Sequence, residues 1–357
     1  MDRRRVLLTG GAGYIGSHTC LALLEQGHEV VIVDDLSNSS EESIRRVREL
    51  AHGPGRSAAQ RPVGQVTFHH VDLRDTEALD AVVTVHPVDS VIHFAGLKAV
   101  GESARKPLEY YDANLGGTFS LLQVLGRHEV RNVVFSSSAT VYGEPESVPL
   151  TEQARLAGTN PYARTKLFIE ELLRDVAAAD PSWNIALLRY FNPVGSHPSG
   201  RIGEDPAGIP NNLMPFIMQV AVGRRPHLVV FGDDYPTRDG TCIRDYIHVM
   251  DLAEGHLAAL RSIEQMDGCR AINLGTGHGQ TVLEVVHAAS EAAGFEIPYN
   301  VGDRRAGDAA ESYADTSLAA DLLDWRSTRS LRDMCEDAWR WQSNNPNGYN
   351  DFEIDTR

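Results

Sequence analysis

Residues 6–16, Val-Leu-Leu-Thr-Gly-Gly-Ala-Gly-Tyr-Ile-Gly, constrain the fold of this chain more than any other stretch. A short apolar run enters a glycine cluster, and residues 17–26 then read as a helix with Gly27 as its C-terminal stop. Gly11, Gly13 and Gly16 fit G-x-G-x-x-G, while Gly10, Gly13 and Gly16 fit G-x-x-G-x-x-G. In either register glycine permits a tight turn and lets backbone approach a pyrophosphate at a helix N-terminus. The next apolar run, 29–33, ends in Asp34 and Asp35, about the ~20 residues downstream expected of an acid that binds a ribose 2′-hydroxyl. A carboxylate there repels a 2′-phosphate, so the pattern points to NAD rather than NADP.

Further apolar runs at 65–71, 90–95, 132–136 and 185–190 are continuous rather than alternating. That pattern fits strands covered on both faces, hence an α/β fold built on a Rossmann-type doubly wound parallel sheet. The 357 residues exceed the ~250–300 at which one core tends to divide. Residues 1–191 are therefore expected to form the NAD-binding domain. Beyond Asn192 the strands shorten, and residues 193–212 are rich in turn formers. Residues 192–348 are expected to be mainly a smaller mixed α/β lobe for substrate, with 349–357 closing a polar tail that begins near Asn344. Residues 52–65, rich in Gly, Pro, Ser and Ala, read as a loop insertion.

A net charge of −16 argues against a nucleic-acid or anionic-membrane surface. No apolar stretch approaches the ~20 residues of a membrane span, and 6–8 gives way to Thr-Gly-Gly too soon for a signal peptide. Cys20, Cys242, Cys269 and Cys335 show no paired spacing, so free thiols in a reducing cytoplasm are expected. No histidines fall in metal-ligand spacing. His69 and His70 are expected on opposite faces of a strand, and no metal site is expected.

Ligands of open α/β sheets bind beyond the carboxyl ends of the strands. Asp72 and Leu73 follow the third run, Phe94, Ala95, Gly96, Leu97 and Lys98 the fourth, and 136–140 (Ser-Ser-Ser-Ala-Thr) the fifth. Ser138 offers a hydroxyl that can bond both a substrate oxygen and a tyrosine. In Asn-Pro-Tyr-Ala-Arg-Thr-Lys, residues 160–166, Tyr162 and Lys166 share a face if the stretch is helical. The ammonium then favours the phenolate, giving an acid/base usable near neutral pH.

These residues carry a resemblance. TGGAGYIGSHTC (9–20), HFAGLKAVGES (93–103), PLEYYDANLGGT (107–118), FSSSATVYG (135–143), LLRYFNPVG (187–195), GIPNNLMP (208–215) and RDYIHVMDLA (244–253) resemble the extended short-chain dehydrogenases/reductases, in their nucleotide-sugar epimerase branch. The likeness runs from about Val6 to Gly348. It implies an isomerase with Ser138, Tyr162 and Lys166 as catalytic residues, inverting carbon 4 of a UDP-hexose through transient oxidation by bound NAD and so interconverting UDP-glucose and UDP-galactose. NAD would lie on Tyr14, Ile15, Asp34, Asp35, Leu36, Ser37, Asn38, Ser39, Asp72, Leu73, the 94–98 run, Lys166 and Phe191, with Asn114 satisfying backbone nearby. The UDP-sugar would meet Lys98, Asn192, Asn212, Leu213, Val229, Val230, Phe231, Arg244, Arg305 and Asp308. Guanidinium suits a pyrophosphate at Arg244 and Arg305. Ser312 stands where some members carry a bulky tyrosine, which implies room for an N-acetyl group unless Tyr313 swings in. The resemblance also implies a homodimer, paired through helices near 102–125 and 166–179.

Two rivals remain. A nucleotide-sugar 4,6-dehydratase would use the same tyrosine but needs an acidic pair beside the serine, where this chain has Ala139 and Thr140. A redox-sensing module that holds NAD without catalysis has no need of Ser138, Tyr162 and Lys166 together.

Overall fold

The computed structural model describes residues 3–53, 63–305 and 307–352, so most of the expected 52–65 insertion lies outside the described residues. In chain order the strands are β1 (Arg5–Thr9), β2 (Glu29–Asp34), β3 (Val66–His70), β4 (Ser90–His93), β5 (Asn132–Ser138), β6 (Asn184–Tyr190), β7 (Asn192–Val194), β8 (Leu228–Phe231), β9 (Ile243–His248), β10 (Cys269–Leu274), β11 (Gly279–Thr281), β12 (Tyr299–Gly302) and β13 (Glu311–Ser312). The main sheet has the order β10-β6-β5-β4-β1-β2-β3, every pair parallel. The direction of winding reverses between β1 and β4, the crevice where doubly wound sheets take ligands.

Continuous apolar runs give this sheet two dry faces. Leu7, Val31, Val133, Phe135 and Leu187 pack into the core on one side. Their neighbours Val6, Leu8, Val30, Ile32, Val134 and Leu188 pack on the other. Burying both faces demands helices on both, which the crossovers supply.

The first helix spans Tyr14–Glu25, starting three residues earlier than the sequence suggests. Gly13 is already extended and serves as the N-cap, so the helix begins directly at the glycine loop. The expected helix near 102–125 is broken into Val100–Arg105, Pro107–Tyr111, a π turn at Asp112–Gly116 and Gly117–Arg127. Pro107 lacks the N–H needed to continue the first segment and opens the second.

The smaller layer comprises β11-β9-β13, with β7 also on β9, and the parallel pair β8-β12. Helices Leu213–Ala221, Val282–Ala293 and Leu331–Asn344 close its core around Ile217, Met218, Val230, Tyr246, Val285 and Met334. The division at 192 is not a clean cut along the chain. The Val249–Ser262 helix packs on the first helix, and β10 is the outer strand of the main sheet beside β6. The expected polar tail also differs at its start: Asn345 and Tyr349 are buried. Tyr349 packs on Trp341, and the buried Arg46 guanidinium lies over both rings. The segment from Asn344 reads as polar in sequence because only the folded chain brings Arg46 and Trp341 to Tyr349.

Candidate active site

Most candidate nucleotide contacts in the first half of the chain lie just past the end of a parallel strand, while Asn114, Tyr162 and Lys166 lie on helical segments. Gly10 follows β1, and its φ of +68° with an added Cβ only 2.7 Å from the Ala95 nitrogen leaves no alternative to glycine. Gly13 caps the helix without a side-chain bond, and a Cβ there would meet only the Gly10 oxygen, at 3.3 Å. The first N–H groups of the helix, at Tyr14, Ile15 and Gly16, lie before its first intrahelical hydrogen bond, from Ser17 to the Gly13 carbonyl, which suits an anionic pyrophosphate. The loop is braced by Asp34, the last residue of β2, which accepts from the Ala12 N–H at 2.9 Å, the Leu36 N–H at 2.9 Å and the Ser39 hydroxyl at 2.7 Å. Burial raises the Asp34 pKa, and those three bonds oppose the rise. Asp35 is exposed and turns back onto Ser37, while Asn38 accepts from the Ala207 N–H. The helix-start donors, the glycine loop and the acid on the next strand all fit NAD.

Further along the strand ends, Asp72 pairs with Arg74, which holds its carboxyl below the usual range. Leu73 packs into the core, so any cofactor contact there falls to backbone. Phe94 leans on His256, and the Ala95 N–H bonds back to the Thr9 carbonyl. Asn114, in the π turn, accepts from the Leu97 N–H at 2.7 Å and donates to the Leu97 carbonyl at 3.1 Å and to Thr165 Oγ1 at 2.9 Å. It thereby clamps the 94–98 run to the helix that carries Tyr162.

That helix, Pro161–Ala179, starts where Asn160 accepts from the Ala163 N–H at 2.9 Å and where Pro161 is preorganised. Tyr162 is half-buried in its first turn. Burial raises the phenol pKa, and the nearby hydroxyl of Ser138, the last residue of β5, opposes the rise. The expected depression of the phenol by Lys166 is not produced by the protein alone. Lys166 is on the same helix but buried, and its Nζ donates to the Ser136 carbonyl at 2.7 Å, 4.8 Å from the centre of the Phe135 ring. Burial pushes the Lys166 pKa down to about 8, with Glu170 opposing. Ser138 Oγ also accepts from the Thr140 N–H at 3.2 Å and the Thr140 hydroxyl at 3.0 Å, which leaves its own proton free for Tyr162 or a ligand.

The candidate substrate residues gather in two groups. Lys98 and Asn212, 114 positions apart, meet at one carboxylate: Glu204 Oε1 lies 3.3 Å from Lys98 Nζ and 3.1 Å from Asn212 Nδ2. Leu213 begins the helix that Asn212 caps. Across the smaller layer, Arg305 forks onto Asp308 at 3.1 Å through both Nε and Nη2, and Arg244 Nη2 is 3.7 Å from the same carboxylate. The Arg305 guanidinium also lies over the Phe231 ring. Ser312 is the register partner of Arg244 on β9, and Asn192 that of Tyr246 on the same strand. Asn192 is exposed beside the buried Phe191, and Val229 is half-buried on β8, but the Val230 side chain is in the core.

Glu204 and Thr140 were not found from sequence. Thr140 sits two residues after a strand-end serine, a spacing that signals local capping but no particular role. Glu204 is remote in sequence from Lys98 and carries no motif.

The pattern described as the NAD dependent epimerase/dehydratase family matches residues 6–275. UDP-glucose 4-epimerase 2 of Arabidopsis thaliana is 57% identical over 348 residues, covering 97% of each chain. UDP-glucose 4-epimerase of Bacillus subtilis strain 168 is 55% identical over 348 residues, covering 98% of this chain and 99% of its own. Among solved structures, UDP-glucose 4-epimerase from Bifidobacterium longum in complex with NAD+ and UDP aligns with a TM-score of 0.90 and 50% identity, over 96% of this chain and 99% of that one.

Proposed function

The chain belongs to the NAD dependent epimerase/dehydratase family, and from that premise we propose that it interconverts UDP-glucose and UDP-galactose as a UDP-glucose 4-epimerase, an NAD-dependent isomerase. The placing of Tyr162 beside the Ser138 hydroxyl at the end of β5, in a sheet whose β1 opens the glycine loop, carries the chemical part of this reading.

NAD, when bound, supplies the hydride acceptor and donor for carbon 4 and adds a positive ring charge. Tyr162 takes the proton of the 4-hydroxyl and returns it to the 4-oxygen of the epimer. Ser138 holds that oxygen, its hydroxyl oriented by Thr140. Lys166 places positive charge on the tyrosine's helix face and is largely protonated at pH 7. Arg244 and Arg305 match a diphosphate, with Asp308 holding both in place. Inverting carbon 4 requires the sugar to present its second face, so firm anchoring belongs to the UDP end.

Ser312 widens the sugar site to N-acetylated UDP-hexoses. The next residue, Tyr313, has its ring against Gly279, which supports leaving the opposite strand face, at Ser312, to the sugar. Two copies pair through the helices near 102–125 and 166–179, where Leu108, Phe119 and Phe168 are exposed and Phe168 stacks on Tyr111. Four free thiols suit the cytoplasm. Among the described residues no helix is long and apolar enough to cross a membrane.

Incubation with UDP-galactose and with UDP-N-acetylgalactosamine, followed by product identification, tests the proposal. The expected products are the corresponding gluco epimers. A 4-keto-6-deoxy product would instead identify a dehydratase, and conversion of no nucleotide sugar would reject the assignment.

A further inference from the structure

Three consecutive residues at the end of β5 face the Pro161–Ala179 helix. The Ser136 carbonyl accepts from Lys166 at 2.7 Å and the Ser137 hydroxyl donates to Glu170 Oε1 at 2.5 Å, while the Ser138 hydroxyl sits beside the Tyr162 phenol. Glu170 lies four residues after Lys166, and its side chain is fully buried. Arg189 on β6 forks onto it, Nε to Oε1 at 2.9 Å and Nη2 to Oε2 at 2.7 Å, and Arg174 Nη2 adds a third cationic contact at 2.9 Å. Arg189 Nη1 also donates to the Tyr142 hydroxyl at 3.0 Å and the Glu152 carbonyl at 3.1 Å, and Tyr142 donates to Asn273 Oδ1 at 2.6 Å. One carboxylate thus joins the helix of the acid/base pair to β5, to β6 and, through Arg189, to the turn that follows Ser138.

We propose that Glu170 is a positioning residue for the reaction: through Ser137 and Arg189 it fixes the helix on β5, and it is the countercharge that keeps Lys166 an ammonium. The surroundings of Lys166 assign that charge role to Glu170. From its own helix it is faced by Tyr162 and Glu170. β4 contributes His93, which is bonded between the Thr9 and Thr118 hydroxyls and whose pKa falls to about 3 through burial and the Lys166 charge, so it is neutral. β5 presents the Phe135 ring and the Ser136 carbonyl, and β6 presents Arg189 behind Glu170. A buried pair serving stability alone could be exchanged for apolar side chains at little cost. A countercharge to Lys166 could not.

The test rests on the proposed role of Lys166 but reads its proton directly. The chain contains three lysines, Lys98, Lys106 and Lys166, so full-length holoprotein labelled with ¹³C at the lysine ε-carbon gives three signals, assigned with Lys98→Arg and Lys106→Arg. In Glu170→Gln the midpoint of the Lys166 signal should fall by roughly one pH unit, as expected for losing a nearby opposite charge. The alkaline limb of kcat should follow it, while KM for UDP-galactose changes less than about twofold. The double variant Glu170→Gln with Arg189→Met removes the stranded guanidinium and guards against simple unfolding. A lowered Lys166 midpoint in that folded double variant supports the role. A wild-type midpoint and wild-type kcat there would show the pair to be structural and overturn it. Failure of the parent protein to epimerise any UDP-hexose would leave the lysine titration readable, so the two readings fail separately.

Discussion

Tyr162 occupies the first turn of its helix with a phenol that burial holds above its ordinary range and that Ser138 pulls back. A proton carrier in that setting depends on charge brought to it, and the loss of its hydroxyl cannot be made good by Ser138. Tyr162→Phe should lower turnover by about 10²–10⁴-fold, with bound NAD retained, as steady-state assay and absorbance of the purified protein would read; near-parental turnover would remove Tyr162 from the chemistry. At the sugar end, Ser312→Tyr should abolish conversion of UDP-N-acetylgalactosamine while sparing UDP-galactose. Equal loss of both substrates would show that residue 312 supports the lobe rather than selecting the sugar. The placing of Ser138 at a strand end and of Tyr162 and Lys166 on one helix was legible because the strand-end rule and helix spacing constrain it locally. Glu170 and Glu204 were not, since each also depends on a distant partner, Arg189 being 19 residues from Glu170 and Lys98 being 106 residues from Glu204.

Among the elements, the Pro161–Ala179 helix depends on its start. Asn160 satisfies the Ala163 N–H, and Tyr162 lies just inside that cap. Asn160→Ala should cost about 1 kcal/mol in denaturant unfolding and, because fraying begins at the proposed proton carrier, should reduce kcat more than KM. Unchanged kcat alongside lost stability would uncouple the cap from Tyr162. Elements with a strong local signal, such as β1, β2 and β6, were legible to within a residue or two. The π turn at Asp112–Gly116 was not: it lets Asn114 reach both Leu97 and Thr165, a demand set by neighbouring strands and helices rather than by helix propensity.

For the whole molecule, burial of neutral histidines couples the fold to pH. His18, His93 and His256 are buried, and burial lowers their pKa values to about 3, about 3 and about 4. The folded-state values lie below the unfolded value of about 6.5, so the stabilisation is complete above pH ~6.5 and is lost as pH falls toward 4, because the unfolded chain then binds the protons. Each ring withdraws up to about 1.4 kcal/mol per pH unit in that window. Tm should therefore fall steeply from pH 6.5 to 4.5; a flat profile would show that these rings take up protons in place. His256 illustrates how the layers interlock: it lies on the helix following β9, yet bonds Tyr190 of β6 and leans on Phe94 beyond β4. By itself the sequence determined the parallel sheet, the glycine cradle, the strand-end acid and the serine–tyrosine–lysine set, because each follows from spacing within one or two elements. Only the tertiary structure decided that β10 completes the main sheet, that Arg46 packs on Tyr349, that Glu204 joins Lys98 to Asn212, and that Glu170 ties its helix to both β5 and β6 through one carboxylate. Those are contacts between segments distant along the chain, and no local periodicity records which distant partner a buried charge will find.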